Sequence, residues 1–145
     1  MTYLEFKEQN DKKLKDFIGK HFVFAFGREQ YERKLKELGL TDAEFQAKYV
    51  GFLGGAIPAD KVEEFKEISK EAKQNLRNKM INDYNFAKEA FRYEMSNFEC
   101  FISGRYDEVF GSLCVSRENL TEYKKLGDAF VDAKHDYWQW SLENY

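Results

Sequence analysis

The segment from Lys61 to Met80 carries the pattern that most restricts the fold of this chain. Its apolar side chains recur every three or four residues, which places them on one face of an α-helix with charged residues on the other. These apolar positions are Val62, Phe65, Ile68, Ala72, Leu76 and Met80. A helix of this kind buries a single stripe, so other elements of the chain must cover that stripe.

A second helix is predicted just after residue 85, and it is apolar on more than one face. Its apolar positions are Phe86, Ala87, Ala90, Phe91, Tyr93, Met95 and Phe98. Because apolar residues on several faces are covered only inside a protein, we expect this to be the most buried helix.

Capping signals predict the remaining helices. Thr2 with Glu5 and Thr41 with Glu44 have capping-box spacing, which is typical of a helix start. A further helix is predicted from Arg28, and the last one follows Ser116, which we interpret as its N-cap. The predicted last helix continues through the aromatic end of the chain.

Two segments are predicted as strands. Residues 21–26, HFVFAF, are short, aromatic and β-branched, and residues 50–57 alternate before Pro58 ends the strand. We therefore predict an α+β protein that is predominantly helical, a single domain over residues 1–145. It has about five or six helices and a small two-stranded sheet.

Composition narrows the class of protein. The chain has 145 residues, of which 43% are hydrophobic and 17% aromatic, enough for a core in one domain. A net charge of −3 disfavours direct nucleic-acid binding. No apolar run approaches the roughly 20 residues that span a membrane. The charged amino terminus and two cysteines expected to be reduced predict a cytoplasmic location.

The stretch YVGFLGGAIPAD holds three glycines and the only proline of the chain. A Walker-type phosphate loop needs a Lys and a Ser or Thr after its last glycine, but Ala56, Ile57 and Pro58 follow Gly55. The fingerprint of dinucleotide-binding folds is also absent. We interpret the glycines as structural, with a partner-binding sheet edge as the alternative.

No pattern of catalytic or metal-binding residues is present. His21, His135, Cys100 and Cys114 include no C-x-x-C pair and no two histidines four residues apart. The cysteines lie in apolar surroundings, which favours inert buried thiols over nucleophiles. The sequence predicts no catalytic residue, no cofactor and no metal, and therefore a protein that is not an enzyme.

Glu94 and Asn97 are the polar residues that most need an explanation. They lie three residues apart within the apolar helix, so each must find partners or cost about 1–3 kcal/mol. Most such residues tie neighbouring segments together, and we favour that structural role. The alternative is a small-molecule or nucleotide site formed by Glu94, Asn97 and Glu99 with Gly54 and Gly55.

The carboxyl end, DYWQWSLENY, is rich in the residues that anchor interfaces. Trp138 falls on the apolar face of the last helix, whereas Trp140 lies about 200° away on a helical wheel. Both cannot point into one core, so we expect an exposed partner surface here. Its predicted anchors are Tyr137, Trp138, Trp140 and Tyr145, together with Phe22 and Phe24 on the exposed edge of the first strand.

The order of these motifs resembles an uncharacterised family of small proteins from phages and mobile elements. The similarity covers roughly residues 20–100, with a Phe-Ala-Phe strand, glycines, and a Glu-Met-x-Asn-x-Glu helix. The matching positions are Phe24, Ala25, Phe26, Glu29, Gln30, Tyr31, Lys36, Leu38, Gly39, Gly51, Gly54, Gly55, Glu94, Met95, Asn97 and Glu99.

The sequence also departs from the pattern of that family. Glu37 separates Lys36 from Leu38, and Phe52 with Leu53 breaks the glycine run. Phe98 stands where the family pattern has a histidine, which weakens a metal or catalytic role for this segment.

The resemblance implies a binding protein that inhibits or redirects a host protein, in its sharpest form an anti-CRISPR inhibitor of a nuclease effector. Two hypotheses from other classes stay open. One is the small-molecule or nucleotide binder described above, and the other is a homo-oligomer that buries the aromatic carboxyl end.

Overall fold

The computed structural model describes all residues from Met1 to Tyr145. It is predominantly helical, with one two-stranded antiparallel sheet, as the sequence predicts. The helices are α1 (Tyr3–His21), α2 (Arg28–Leu38), α3 (Asp42–Lys48), α4 (Val62–Asn82), α5 (Tyr84–Asn97), α6 (Cys100–Ser103), α7 (Asp107–Ser112), α8 (Arg117–Glu122) and α9 (Lys124–Asn144). The strands are β1 (Tyr49–Phe52) and β2 (Gly55–Pro58), and a 3₁₀ turn (Ala59–Lys61) follows β2.

The chain divides into two compact units. The helical unit comprises residues 1–10 and 71–145, and the hairpin unit comprises residues 11–70. Both α1 and α4 contribute residues to each unit. The prediction of a single domain over residues 1–145 stays a prediction.

The core of the helical unit forms where α5 packs along α9. Six of the 14 residues of α5 are buried, in agreement with a helix that is apolar on more than one face. Ala87 and Ala90 on α5, and Ala129 and Ala133 on α9, are fully buried in this core. Small side chains let two helices approach closely, so these alanines set how near α5 and α9 can lie.

The predicted last helix is two helices, because the chain bends at Tyr123. Ser116 is the N-cap as predicted, and its hydroxyl accepts a hydrogen bond from the Asn119 N–H. Tyr123 then takes an extended conformation, with φ −116° and ψ 106°, and α9 starts. The bend brings the backbone of α8 against α9. A Cβ atom added at Gly127 would lie 2.3 Å from the Leu120 carbonyl oxygen.

We expect Gly127→Ala to destabilise the protein by about 1–3 kcal/mol, because the new methyl group would collide with backbone that cannot rotate away. Gly111→Ala is the matched control, since a Cβ atom there meets nothing within 4 Å and the helix gains a better helix former. Urea denaturation of the two variants measures both effects. Equal stability of the two variants would contradict the close approach of α8 and α9.

Asp83 starts α5 and joins it to the end of α4. Its carboxylate accepts a hydrogen bond from the Phe86 N–H at 3.1 Å and pairs with the Lys79 ammonium at 3.1 Å. The backbone N–H of Phe86, followed by the hydrogen bond from Lys79, lowers the pKa of Asp83 below its ordinary value of 3.8. The folded state therefore favours the charged carboxylate.

A carboxylate whose pKa is lowered by folding stabilises the protein above its unfolded pKa, and this contribution is lost as the pH falls through the folded pKa. Below about pH 5, wild type should therefore lose more stability on acidification than Asp83→Asn, which keeps a good N-cap without the charge. The difference should stay under about 1 kcal/mol because the ion pair is partly exposed. Thermal melts across this pH range measure it, and parallel curves would exclude the contribution of Asp83.

The glycine stretch forms both strands of the sheet. The sequence predicts one strand over residues 50–57, but Val50 pairs with Ile57 in a tight antiparallel hairpin. Leu53 and Gly54 make the turn, with φ values of 51° and 81°. Two positive φ values in succession suit the right-handed twist of a hairpin, and they explain the glycine at position 54. The turn has no Lys or Ser that could bind phosphate.

The segment 21–26 was predicted to be a strand but contributes only one bridge. Val23 exchanges two backbone hydrogen bonds with Ala56, of 2.8 and 2.9 Å. A Cβ atom at Gly55 would lie 2.6 Å from the Phe24 ring and 3.0 Å from the Val23 carbonyl oxygen. Gly55 is therefore structural, since only a residue without a side chain lets this segment approach the hairpin.

The hairpin unit has its own small core. Phe17, Ile57, Phe65 and Ile68 are buried there. The half-buried Phe22 ring packs against Phe65, with ring centroids 5.4 Å apart.

Candidate protein-binding surface

The aromatic residues at the carboxyl end form a continuous row. The ring centroids of Trp138 and Phe101 are 4.6 Å apart, and Phe101 stacks on Tyr145 at 5.3 Å with an interplanar angle of 7°. Trp140 meets Tyr145 edge to face at 6.0 Å. These distances are typical of favourable aromatic pairs.

A cation from α5 completes this row. The Arg92 guanidinium lies 5.2 Å from the centroid of the Trp140 ring, within cation–π range. We define the aromatic surface as Arg92, Phe101, Trp138, Trp140 and Tyr145. It combines residues from α5, α6 and the end of α9, all within the helical unit.

The aromatic surface is open to solvent. Trp138, Trp140 and Tyr145 are 40%, 41% and 60% exposed, and Phe101 is half-buried. Partial burial among the rings raises the pKa of Tyr145, with smaller contributions from Tyr137 and Glu99. Trp138 falls on the predicted apolar face of the last helix, yet it is as exposed as Trp140.

Tyr137 lies in the core rather than on the aromatic surface. It is fully buried, and its hydroxyl accepts a hydrogen bond from the Phe101 N–H at 3.0 Å. This bond ties the start of α6 to α9 and thereby positions the Phe101 ring. Tyr137 thus supports the surface from below, and a partner could not touch its ring without unfolding the helix pair.

A groove of about 540 Å³ runs along α5 from the aromatic surface. Its lining residues are Glu89, Arg92, Tyr93, Ser96 and Asn97. Their spacing places them on one face of α5, and Arg92 belongs to both the groove and the aromatic surface. The two features therefore form one extended, partly apolar region of the helical unit.

Glu94 points inward, away from this groove. It is 1% exposed, and its two carboxylate oxygens accept hydrogen bonds from the Tyr3 hydroxyl at 2.9 Å and the Asn97 amide at 3.3 Å. The Lys7 ammonium lies 4.0 Å from the same carboxylate. The buried charge is compensated, and it ties α1 to α5 within the helical unit.

The other predicted ligand residues are distributed over both units. Glu99 is exposed and has a left-handed backbone at the start of α6, with φ 51°. Gly54 and Gly55 belong to the hairpin unit, as do Phe22 and Phe24. Phe24 is 41% exposed and stacks on Phe22 at 5.7 Å, so it presents an aromatic face of its own.

No three His, Cys, Asp or Glu side chains are placed to hold a metal ion. Burial raises the pKa of the Cys100 thiol, which disfavours its reactive thiolate form. None of the helices is both long and apolar enough to cross a membrane.

Arg92 and Phe101 are the surface residues that sequence reasoning missed. Arg92 looks like an ordinary polar position of an amphipathic helix, and Phe101 lies in a segment with no clear periodicity. A cation–π pair between α5 and α9 depends on how the two helices pack. No local sequence signal could have indicated it.

The fold and the aromatic surface define a small helical protein whose most distinctive feature is an exposed aromatic patch. Residues 2–136 match the model of DUF7659, a family of unknown function. Since the match covers most of the chain, the protein belongs to this family, and the predicted membership of an uncharacterised family is confirmed. No curated protein and no solved structure matches the chain.

We expect Tyr3→Phe to destabilise the protein by about 1–3 kcal/mol, because the buried Glu94 carboxylate would lose a hydrogen-bond donor. Tyr93→Phe is the matched control. Its ring lies 5.7 Å from that of Tyr3, but its side chain is 42% exposed and its hydroxyl can be hydrated. Chemical denaturation should place the control within about 0.5 kcal/mol of wild type. A Tyr3→Phe variant as stable as the control would contradict the structural role of Glu94.

Proposed function

We propose that this protein is a non-enzymatic binding protein and that its aromatic surface docks on another protein. The observation that carries the proposal is the continuous, exposed row of Trp138, Phe101, Tyr145 and Trp140 with Arg92 beside it. Trp, Tyr and Arg are the residues that most often dominate the energy of protein interfaces.

The size of the aromatic surface suits the centre of an interface. An aromatic side chain offers about 150–250 Å², so these four rings, at about half exposure, supply roughly 300–500 Å². A standard interface takes about 800 Å² from each partner. The remainder would come from the groove along α5, whose polar residues resemble the rim of an interface.

The finer identity of the partner rests on the resemblance to proteins of phages and mobile elements. On that basis the partner is a host protein that this chain inhibits or redirects, in the sharpest form a nuclease effector of a CRISPR system acting in the host cytoplasm. The net charge of −3 supports contact with protein rather than with nucleic acid.

The small-molecule alternative has less support. The Glu94 carboxylate is 1% exposed and accepts hydrogen bonds from Tyr3 and Asn97, so it is closed to a ligand from solvent. Gly54 and Gly55 have structural roles in the hairpin turn and at the Phe24 ring.

The experiment compares partner capture by wild type and by Trp138→Ala/Trp140→Ala. Tagged proteins are incubated with nuclease-treated host lysate, and retained proteins are identified by mass spectrometry. We expect the double variant to lose a stoichiometric partner by about tenfold or more, because interface anchors contribute 2 kcal/mol or more each. Val131→Ala is the control, since it removes another apolar side chain of α9 that is 62% exposed. Phe24→Ala tests the other predicted anchor.

Two outcomes would overturn the proposal. One is equal capture of the same partner by wild type and the double variant. The other is self-association, seen by sedimentation, that the double variant abolishes. In that case the aromatic surface is the interface of a homo-oligomer.

A further inference from the structure

A second groove, of about 920 Å³, lies between the start of α1 and the end of α4 in the helical unit. Five of the ten side chains that line it are carboxamides. They are Gln9 and Asn10 from α1 and Asn75, Asn78 and Asn82 from α4. We call this feature the carboxamide groove, and it shares no residue with the aromatic surface.

Part of the carboxamide set is fixed by the protein itself. The Asn10 amide donates to the Ala72 carbonyl at 2.8 Å, and its oxygen accepts from the Asn75 amide at 3.3 Å. The Asn82 amide donates to the Asn78 carbonyl at 2.8 Å. These bonds hold the side chains in place along the floor of the groove.

The remaining polar atoms of the set are available to a ligand. The side-chain oxygens of Asn75 and Asn82, the amide nitrogen of Asn78 and both polar atoms of Gln9 have no hydrogen bond within the protein. The groove thus presents donors and acceptors in nearly equal number. A carboxamide both donates and accepts, which is also what a peptide group does.

The charged side chains that line the groove, Lys79 and Asp83, compensate each other. The Lys79 ammonium pairs with the Asp83 carboxylate at 3.1 Å. This pairing disfavours phosphate or carboxylate ligands, which need a free cation. Met1, Phe6 and Tyr84 add apolar contacts to the walls.

We propose that the carboxamide groove binds an extended, uncharged peptide segment through its backbone. Asn78 and Asn82 are separated by four residues, which is about 6.0 Å along a helix axis. Alternate peptide groups on one side of an extended chain repeat every 6.6–6.8 Å or so. Two successive carboxamides can therefore bond two successive outward-facing peptide groups. The apolar walls would contact side chains of the bound segment.

The sequence of α4 gives a second reason for this assignment. Asparagine is a poorer helix former than alanine, yet three asparagines follow one face of this helix. Packing does not require them at Asn75 and Asn82, which are exposed. A binding role explains why the helix carries them.

The test uses Asn78→Ala/Asn82→Ala, which removes the two carboxamides that match the repeat of the peptide. Both side chains are exposed, and the better helix propensity of alanine offsets the lost hydrogen bonds of Asn78 and Asn82, so the melting temperature should stay close to that of wild type. A loss of binding then cannot be assigned to unfolding. The probe is a library of random linear peptides, selected on the Trp138→Ala/Trp140→Ala protein so that the two tryptophans of the aromatic surface play no part. Enriched peptides are then titrated against all variants by fluorescence polarisation.

We expect uncharged peptides whose affinity falls by about tenfold or more in Asn78→Ala/Asn82→Ala, the effect of losing two hydrogen bonds of ordinary strength. Asn85→Ala, a carboxamide outside the groove, should leave affinity unchanged. In ¹⁵N spectra the side-chain amide signal of Asn78 should shift on binding.

Three results would overturn the proposal: no enriched peptide, peptides that bind the double asparagine variant as well as wild type, or carboxamide-dependent binding of neutral oligosaccharides instead. Because the selection uses a protein without the two tryptophans, these results leave the proposed function of the aromatic surface unaffected.

Discussion

The packing of α5 along α9 is the contact on which the helical unit depends. Buried alanines on both helices, among them Ala90 and Ala133, keep the contact close, and large side chains fill the space on either side. The same closeness puts Arg92 of α5 beside the rings of α9. Further along α5, Tyr3 and Asn97 donate hydrogen bonds to the buried carboxylate of Glu94. The core tolerates this charge because α1 supplies one of the donors. The packing of α5 against α9 thus determines both the core and the position of Arg92 on the exposed surface.

Helix positions were predictable because apolar periodicity and capping residues are local signals. The predictions differ from the structure where a distant contact decides. The break between α8 and α9 at Tyr123 does not interrupt the spacing of the apolar residues. The break depends on how closely the Leu120 carbonyl approaches Gly127. Whether residues 21–26 form a strand or the glycine stretch forms a hairpin by itself depends on which strand edges pair. Leu53, in the hairpin turn, takes a left-handed conformation that its side chain does not favour.

The candidate surface could be predicted in part for the same reason. The helical wheel separates Trp138 from Trp140 and assigns Trp138 to the apolar face, whereas both rings are about equally exposed. Tyr137 is fully buried, so its place among the predicted anchors rests on residue type rather than on geometry. Trp138 follows Tyr137 by one residue and is 40% exposed, with its ring against Phe101 of the short helix α6. The contribution of Arg92 needs the packed pair of helices.

The contacts among the rings of the aromatic surface help to distinguish an interface from a hydrophobic core that is only partly covered. The Phe101 backbone is held by Tyr137, its ring stacks on Tyr145, and Trp140 lies between Tyr145 and Arg92. These contacts already restrict the rotamers of each ring before any partner arrives. Immobilising a side chain on binding costs about 0.5–1.5 kcal/mol, so a surface that is ordered in advance retains more of its contact energy as affinity. Exposing these apolar rings to water costs the unbound protein free energy. A partner that covers the rings would remove that cost.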